Sequence, residues 1–166
     1  AEGYIVARAK RLHGAEISFD SPTVGGTENL MMAASIAAGR TTLINAAREP
    51  EIEELARVLN KMGARVEGAG TSVVTVEGVP DLHPVEHAII ADRIEAGTLI
   101  IAAGATRGDV LIRNCPLEQL ESMVAKLRAI GVRVESTGNG VRVTAGAEIV
   151  ATDFQTLPYP GFPTDL

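Results

Sequence analysis

Apolar residues along this chain recur at helical and strand spacings in two blocks that read alike. Leu30, Ala33, Ala34 and Ala37 share one helical face, which predicts an Ala-rich helix over 26–38, and a second such helix is expected at about 95–105. A short strand follows each: TTLIN at 41–45 and DVLIR at 109–113. Pro50 and Pro116 then stand where a first helical turn tolerates proline. The helices after them are amphipathic. Ile52, Leu55, Leu59 and Met62 form one stripe; Leu120, Met123, Val124, Leu127 and Ile130 form the other. Gly63 and Gly131 close these helices as residues with positive φ would. Two β-branched strands end each block, ARVEG then SVVTVEG and VRVES then GVRVTAG, joined by AGT and TGNG turns. A further strand pair is expected near 87–91 and 147–152.

The two blocks superimpose at an offset of 68 residues. Leu43 and Ile44 fall on Leu111 and Ile112, Leu59 on Leu127, and Gly63, Arg65, Val66 and Glu67 on Gly131, Arg133, Val134 and Glu135. Val73 and Gly78 fall on Val141 and Gly146, and Cys115 falls on Ala47. The unit is βαβαββ, counted from the strand before each Ala-rich helix, and the fold class is α/β (α+β) with about two tandem units. Residues 1–20 read as the tail of an earlier unit, because YIVARA matches the closing SVVTVE strand, and TLPYPGFPTDL reads as the lead-in to another. The pattern is that of a piece of a longer array, with its Ala-rich helices more buried than their amphipathic partners.

Composition narrows the setting. The chain has 166 residues, 46% of them hydrophobic and 22% charged, which excludes a disordered polymer. Aromatics are 3% with no Trp, so the core is aliphatic. No apolar run approaches the ~18–20 residues of a membrane span. One cysteine excludes an internal disulfide and a cysteine-rich zinc site, and with the lack of a signal layout this predicts a cytoplasmic protein. A net charge of −6 argues against non-specific nucleic-acid binding, while leaving room for an anionic small molecule held by local donors.

Four stretches carry candidate chemistry, each with a plain alternative. DSPTVGGTEN (20–29) joins a strand to a helix; its backbone N–H groups either hold an anion or simply begin a helix capped by Thr23 or Ser21. No Lys follows the glycines, so it is not a Walker A loop. NAAREPEIEEL (45–55) puts Arg48, Glu49 and Glu51 at a helix start, lining a cleft or favouring the helix dipole. ADRIEAG (91–97) sets Asp92, Arg93 and Glu95 in an apolar passage, as a substrate clamp or a self-paired Asp–Arg. PYPGFPTDL (158–166) is a Pro-rich extended segment leading to Asp165, a rigidly presented general base or a solvated carboxylate. His13, His83 and His87 lack metal-ligand spacing and read as surface or strand residues; Cys115 reads as a small packing residue.

Together PTVGGTENLMMAA, LINAAREPEI, ADRIEAGT and PYPGFPTDL resemble the enolpyruvyl transferases, and among them the UDP-N-acetylglucosamine 1-carboxyvinyltransferases, over the whole chain and in order. The resemblance implies an inside-out barrel enzyme of two lobes, each of three βαβαββ units, with substrates in the cleft between lobes. Residues 1–90 would be the end of the first lobe, one repeat tail plus one full repeat, and 91–166 the first repeat of the second lobe with a lead-in to the next. The family's N-terminal Lys-Asn pair, the loop bearing its reactive cysteine, and its later arginine and aspartate have no counterpart here, and Cys115 does not match that loop.

Residue by residue, the resemblance places Ser21, Pro22, Thr23, Val24 and Gly25 against the uridine-diphosphate portion of the sugar nucleotide, Ser21 standing where relatives often carry a basic residue. It makes Asp165 a contact to the sugar and the acceptor of its 3-hydroxyl proton, and it puts Arg48, Glu49, Glu51, Asp92 and Arg93 in or beside the cleft. The substrates implied are UDP-N-acetylglucosamine and phosphoenolpyruvate, in peptidoglycan precursor synthesis, with no metal, organic cofactor, nucleic acid or membrane partner. The chain alone is expected to be inactive without the rest of the enzyme. The competing readings are the sister transferase acting on shikimate 3-phosphate and a non-catalytic sugar-nucleotide-binding piece.

Overall fold

The computed structural model describes residues 3–146 and 148–166. It divides into two compact units, the first running to Ala88 and the second from Ile89 to Leu166.

The first unit carries β1 (Glu16–Ser18), α1 (Val24–Ser35), β2 (Arg40–Ile44), α2 (Pro50–Lys61), β3 (Arg65–Glu67) and β4 (Val73–Glu77), which is the expected βαβαββ order. Its sheet is ordered β1-β2-β4-β3, with β1 parallel to β2 and the other pairs antiparallel. Alternation aims Leu43, Val74 and Val76 at the helices, where Met31 and Ile52 complete a fully buried aliphatic centre. Thr23 begins α1 by accepting from Gly26 N–H at 3.3 Å, and Pro50 takes the first position of α2. Gly63, at φ 105°, follows α2 and turns the chain into β3.

The second unit carries α3 (Arg93–Ala105), β5 (Asp109–Ile112), a single 3-10 turn (Leu117–Gln119), α4 (Glu121–Ala129), β6 (Val132–Thr137) and β7 (Gly140–Ala145), with sheet order β5-β7-β6, all antiparallel. Ile100, Leu120, Met123, Val134 and Val143 form its core. Nothing corresponds to β1: among the described residues, 86–91 form no strand and β5 lies at the sheet edge.

Several expectations are corrected. Helix α1 starts and ends earlier than 26–38, because the Thr23 cap sets its start and the backbone leaves the helical region at Ile36 (φ −118°). The strand pair near 87–91 and 147–152 is absent from 87–91 and 148–152; Ala147 lies outside the described residues. YIVARA forms no strand, and Tyr4, Ile5 and Val6 are exposed; the strand of this region is β1. Pro116 precedes the 3-10 turn rather than α4. The Ala-rich helix is the more buried partner only in the second unit. In the first, α1 buries Thr27, Met31, Ala34 and Ser35 and exposes Met32, with Ile36 just beyond it exposed too, while α2 buries Pro50, Ile52, Glu54, Ala56 and Leu59.

The repeat register also slips. The 68-residue offset holds from α2 to β3, where Leu59 and Leu127 are both buried, Gly63 and Gly131 both have positive φ, and Val66 and Val134 are both buried. At β2 it fails. Leu43 is fully buried, whereas Leu111 is 43% exposed and Ile112 takes the inward position. Asn45 and Asn114, both left-handed at φ 59° and 52°, mark the same point after the strand, so Cys115 corresponds to Ala46 and not to Ala47. At β4 the inward residues Val74 and Val76 correspond to Val141 and Val143, one residue earlier than the offset places them. The hairpin explains this step: Thr137 pairs with Gly140 across two residues, while Glu67 pairs with Thr75 across a longer loop.

Candidate functional site

In the first unit, the candidate residues gather where two helices begin. Ser21, Pro22 and Thr23 are exposed and lead into α1, so Val24 and Gly25 lie in its first turn rather than in a loop. The Thr23 hydroxyl caps Gly26 N–H, whereas the N–H groups of Val24 and Gly25 have no partner among the described residues. A Cβ added at Gly25 would meet nothing within 4 Å, so the glycine is not required by packing inside this chain.

Thr27, which sequence reasoning missed, ties this helix start to the next. Fully buried, its hydroxyl donates to Thr23 O at 2.7 Å and accepts Ala47 N–H at 3.0 Å. The loop carrying Arg48 is thereby held against α1. A threonine inside a helix gives no sequence signal of such a cross-link, since its usual bond is to its own helix. Glu49 is 8% exposed, and its Oε2 accepts Arg48 N–H at 2.8 Å. Glu51 stands in the first turn of α2. Glu28, also missed, has its carboxyl raised above the ordinary carboxylate range by burial, then by the charges of Glu51 and Glu49. The structure therefore brings Glu28, Glu49 and Glu51 within electrostatic reach of one another.

A second cluster in this unit corrects the reading of His87 as a plain surface or strand residue. Its Nε2 lies 2.7 Å from Oε1 of buried Glu54 and its Nδ1 3.0 Å from Lys61 Nζ, while Arg57 holds the other Glu54 oxygen. With Lys61 as donor, Nδ1 is the acceptor and Nε2 carries the proton. This cluster fastens the segment after β4 to α2.

In the second unit Asp92 is the N-cap of α3; its Oδ1 accepts Ile94 N–H at 2.7 Å and Glu95 N–H at 3.1 Å. Buried Arg93 places its guanidinium 5.3 Å from the Tyr159 ring centroid, a cation–π contact not anticipated from sequence. Residues 158–166 are not extended. Gly161 N–H closes a turn onto Pro158 O at 2.9 Å, and Leu157 N–H reaches Phe162 O at 3.0 Å. Phe162 is buried in the core and Leu166 packs against it, its side chain lying where a Cβ on Gly97 would collide. Asp165 sits between these anchors, exposed and without a hydrogen-bond partner among the described residues. Cys115 is half-buried, its thiol raised by burial and then by Glu118, which is the reverse of an activated nucleophile.

Against known proteins, residues 1–166 match the profile of EPSP synthase (3-phosphoshikimate 1-carboxyvinyltransferase). The chain belongs to the EPSP synthase family. Within that family it is similar to the UDP-N-acetylglucosamine 1-carboxyvinyltransferases of Sorangium cellulosum, 64% identical over 100% of this chain and 40% of the relative, and of Myxococcus xanthus, 55% identical over 99% and 39%. The chain thus spans about 40% of the length of the curated relatives it matches. Its fold is that of the enolpyruvyl transferase NikO from Streptomyces tendae, with a TM-score of 0.74 over 94% of this chain and 40% of that one, at 22% identity. Among the described residues no helix is long and apolar enough to cross a membrane.

Proposed function

We propose that this chain is part of a cytoplasmic enzyme that transfers the enolpyruvyl group of phosphoenolpyruvate to the 3-hydroxyl of UDP-N-acetylglucosamine and releases phosphate, in peptidoglycan precursor synthesis. The observation that carries this reading is the 54–64% identity, along the whole chain, to several proteins of that name. The two units are read as the end of one lobe and the start of the other.

The local geometry supplies a role for each region. Two unpartnered N–H groups at the start of α1, with Gly25 leaving the approach open, suit the diphosphate of a sugar nucleotide. Thr27 keeps the Arg48–Glu51 segment beside that helix start. Asp165, exposed between the anchors Phe162 and Leu166, accepts the proton of the 3-hydroxyl. The hydroxyl oxygen bonds to C2 of phosphoenolpyruvate while C3 gains a proton. The bond from C2 to the phosphate oxygen then breaks, C3 gives up a proton, and the double bond re-forms as phosphate leaves. Binding the phosphate and carboxylate of phosphoenolpyruvate needs convergent cations, which the remainder of the enzyme supplies. The isolated chain is inactive.

A phosphate-release assay on the complete enzyme tests this reading. Asp165→Asn lowers kcat by roughly 10²–10⁴-fold, because an amide cannot take the proton. Gly25→Val weakens UDP-N-acetylglucosamine binding roughly tenfold by blocking one backbone contact. Turnover with shikimate 3-phosphate in place of the sugar nucleotide, or near-normal kcat in Asp165→Asn, overturns it.

A further inference from the structure

Helix α3 contains two buried glycines, Gly97 and Gly104. Alanine is the better helix former, so a glycine there runs against propensity and calls for a neighbour that needs the space. Both have one. A Cβ on Gly104 would lie 3.0 Å from Val132 Cγ2 and 3.3 Å from its Cγ1, against strand β6. A Cβ on Gly97 would lie 2.7 Å from Leu166 Cδ1 and 3.2 Å from its Cδ2, with Met123 Sδ at 3.3 Å. One glycine thus serves the packing of helix on sheet. The other admits the segment that carries Asp165.

The fit at Gly97 leaves Leu166 no easy escape. Turning the side chain about its last torsion only exchanges one methyl for the other, and both are too close. Restoring an ordinary contact of about 3.5–4.0 Å means moving the side chain by about 1 Å or lifting it off the helix. Leu166 adjoins exposed Asp165 directly, and on the other side Phe162 is buried in the core. Further back, Tyr159 lies on Arg93, which stands one turn before Gly97 on the same face of α3. The carboxylate is therefore bracketed by contacts to one helix face and the core beneath it.

We propose that Gly97 is a positioning residue: its missing side chain lets Leu166 seat on α3, and that seat fixes the place of the Asp165 carboxylate. The proposal rests on reading Asp165 as the acceptor of the 3-hydroxyl proton, and its test separates the two. A base works only within hydrogen-bond reach of the proton it takes, so a misplacement of about 1 Å lowers the rate by up to about 100-fold.

The experiment measures phosphate release and Tm for variants of the complete enzyme. Gly97→Ala is expected to lower kcat roughly 10–100-fold while the KM for UDP-N-acetylglucosamine changes less than about twofold. Gly104→Ala crowds the same helix against Val132; it should lower Tm and leave kcat within about twofold. Leu166→Ala is expected to lower kcat as Gly97→Ala does. The double variant should be no worse than Leu166→Ala alone, because the added Cβ then has room. Near-normal kcat in Gly97→Ala, with activity lost in Asp165→Asn, overturns the positioning and leaves the base standing. Near-normal kcat in Asp165→Asn overturns both. An equal loss in Gly104→Ala, or losses at Gly97 and Leu166 that multiply in the double variant, assigns the effect to general destabilisation and also overturns the proposal. If Gly97→Ala does not fold, Leu166→Ala carries the test, and an unchanged kcat there overturns it.

Discussion

Strand β2 has a neighbour on each side, β1 and β4, while among the described residues β5 pairs with β7 alone. The rest of the two units is close to a copy. Each packs two helices on one face of an antiparallel core of three strands, each ends its second helix on a positive-φ glycine, and each leaves its first inner strand through a left-handed asparagine. The comparison teaches that the second unit buries Ile100, Met123 and Val143 fully without a first strand, with Phe162 and Leu166 of the C-terminal segment helping to cover its core.

The largest effect that sharpens this comparison comes from the inner strand. Leu43→Ala should cost about 2–5 kcal/mol, and Ile112→Ala a similar amount, because both side chains point into a core. Leu111→Ala, the partner that letter-by-letter matching selects, should cost under about 1 kcal/mol, since it is 43% exposed. Urea unfolding measures all three. A Leu111 penalty equal to that of Leu43 would restore the uniform offset.

Next come the two helix starts. Asp92→Ala removes a carboxylate that accepts from two N–H groups and should cost about 1–2 kcal/mol. Thr23→Ala removes one longer bond of 3.3 Å and should cost about 0.5–1 kcal/mol. Native-state hydrogen exchange, read separately on α3 and α1, checks the order, and a larger loss at Thr23 would reverse it.

The smallest effect is electrostatic. Glu28 has a raised folded pKa, so it subtracts stability where it is ionised, and the loss develops as pH climbs from the unfolded value of 4.5 through the folded one. Glu28→Gln should therefore raise Tm by about 1–2 °C at pH 7, with the gain vanishing below pH 4.5. A pH-independent gain would point to packing instead of charge.

The helices and the hairpin strands were legible because their evidence is periodic and local. KMGARVE against AIGVRVE gave the right equivalence from α2 to β3, where Gly63 and Gly131 do the same backbone work. The same comparison misplaced Leu111, because LIRN carries one residue more than LIN before its asparagine, and only the facing of side chains reveals that. Burial of the Ala-rich helices was misjudged in the first unit, since an all-apolar sequence says that a helix can be covered and not that it is; Met32 and Ile36 remain exposed. At the candidate site, Thr23 was readable as a helix cap, whereas Asp92 was read as a clamp or an ion-pair partner and its capping of α3 was not. Thr27, Glu28 and Tyr159 were not, because each acts through a partner distant in sequence: Ala47, Glu51 and Arg93.

The Arg93–Tyr159 contact has a practical side. The protein has two tyrosines and no tryptophan, and Tyr4 is 79% exposed. An aromatic ring fixed in an asymmetric field gives near-ultraviolet circular dichroism, and one that turns freely in water does not. Tyr159, pinned under a buried guanidinium, is therefore the tyrosine that dominates that spectrum. The segment bearing Asp165 carries its own optical label, and its seating on the first turn of α3 can be followed during ligand titration without a dye.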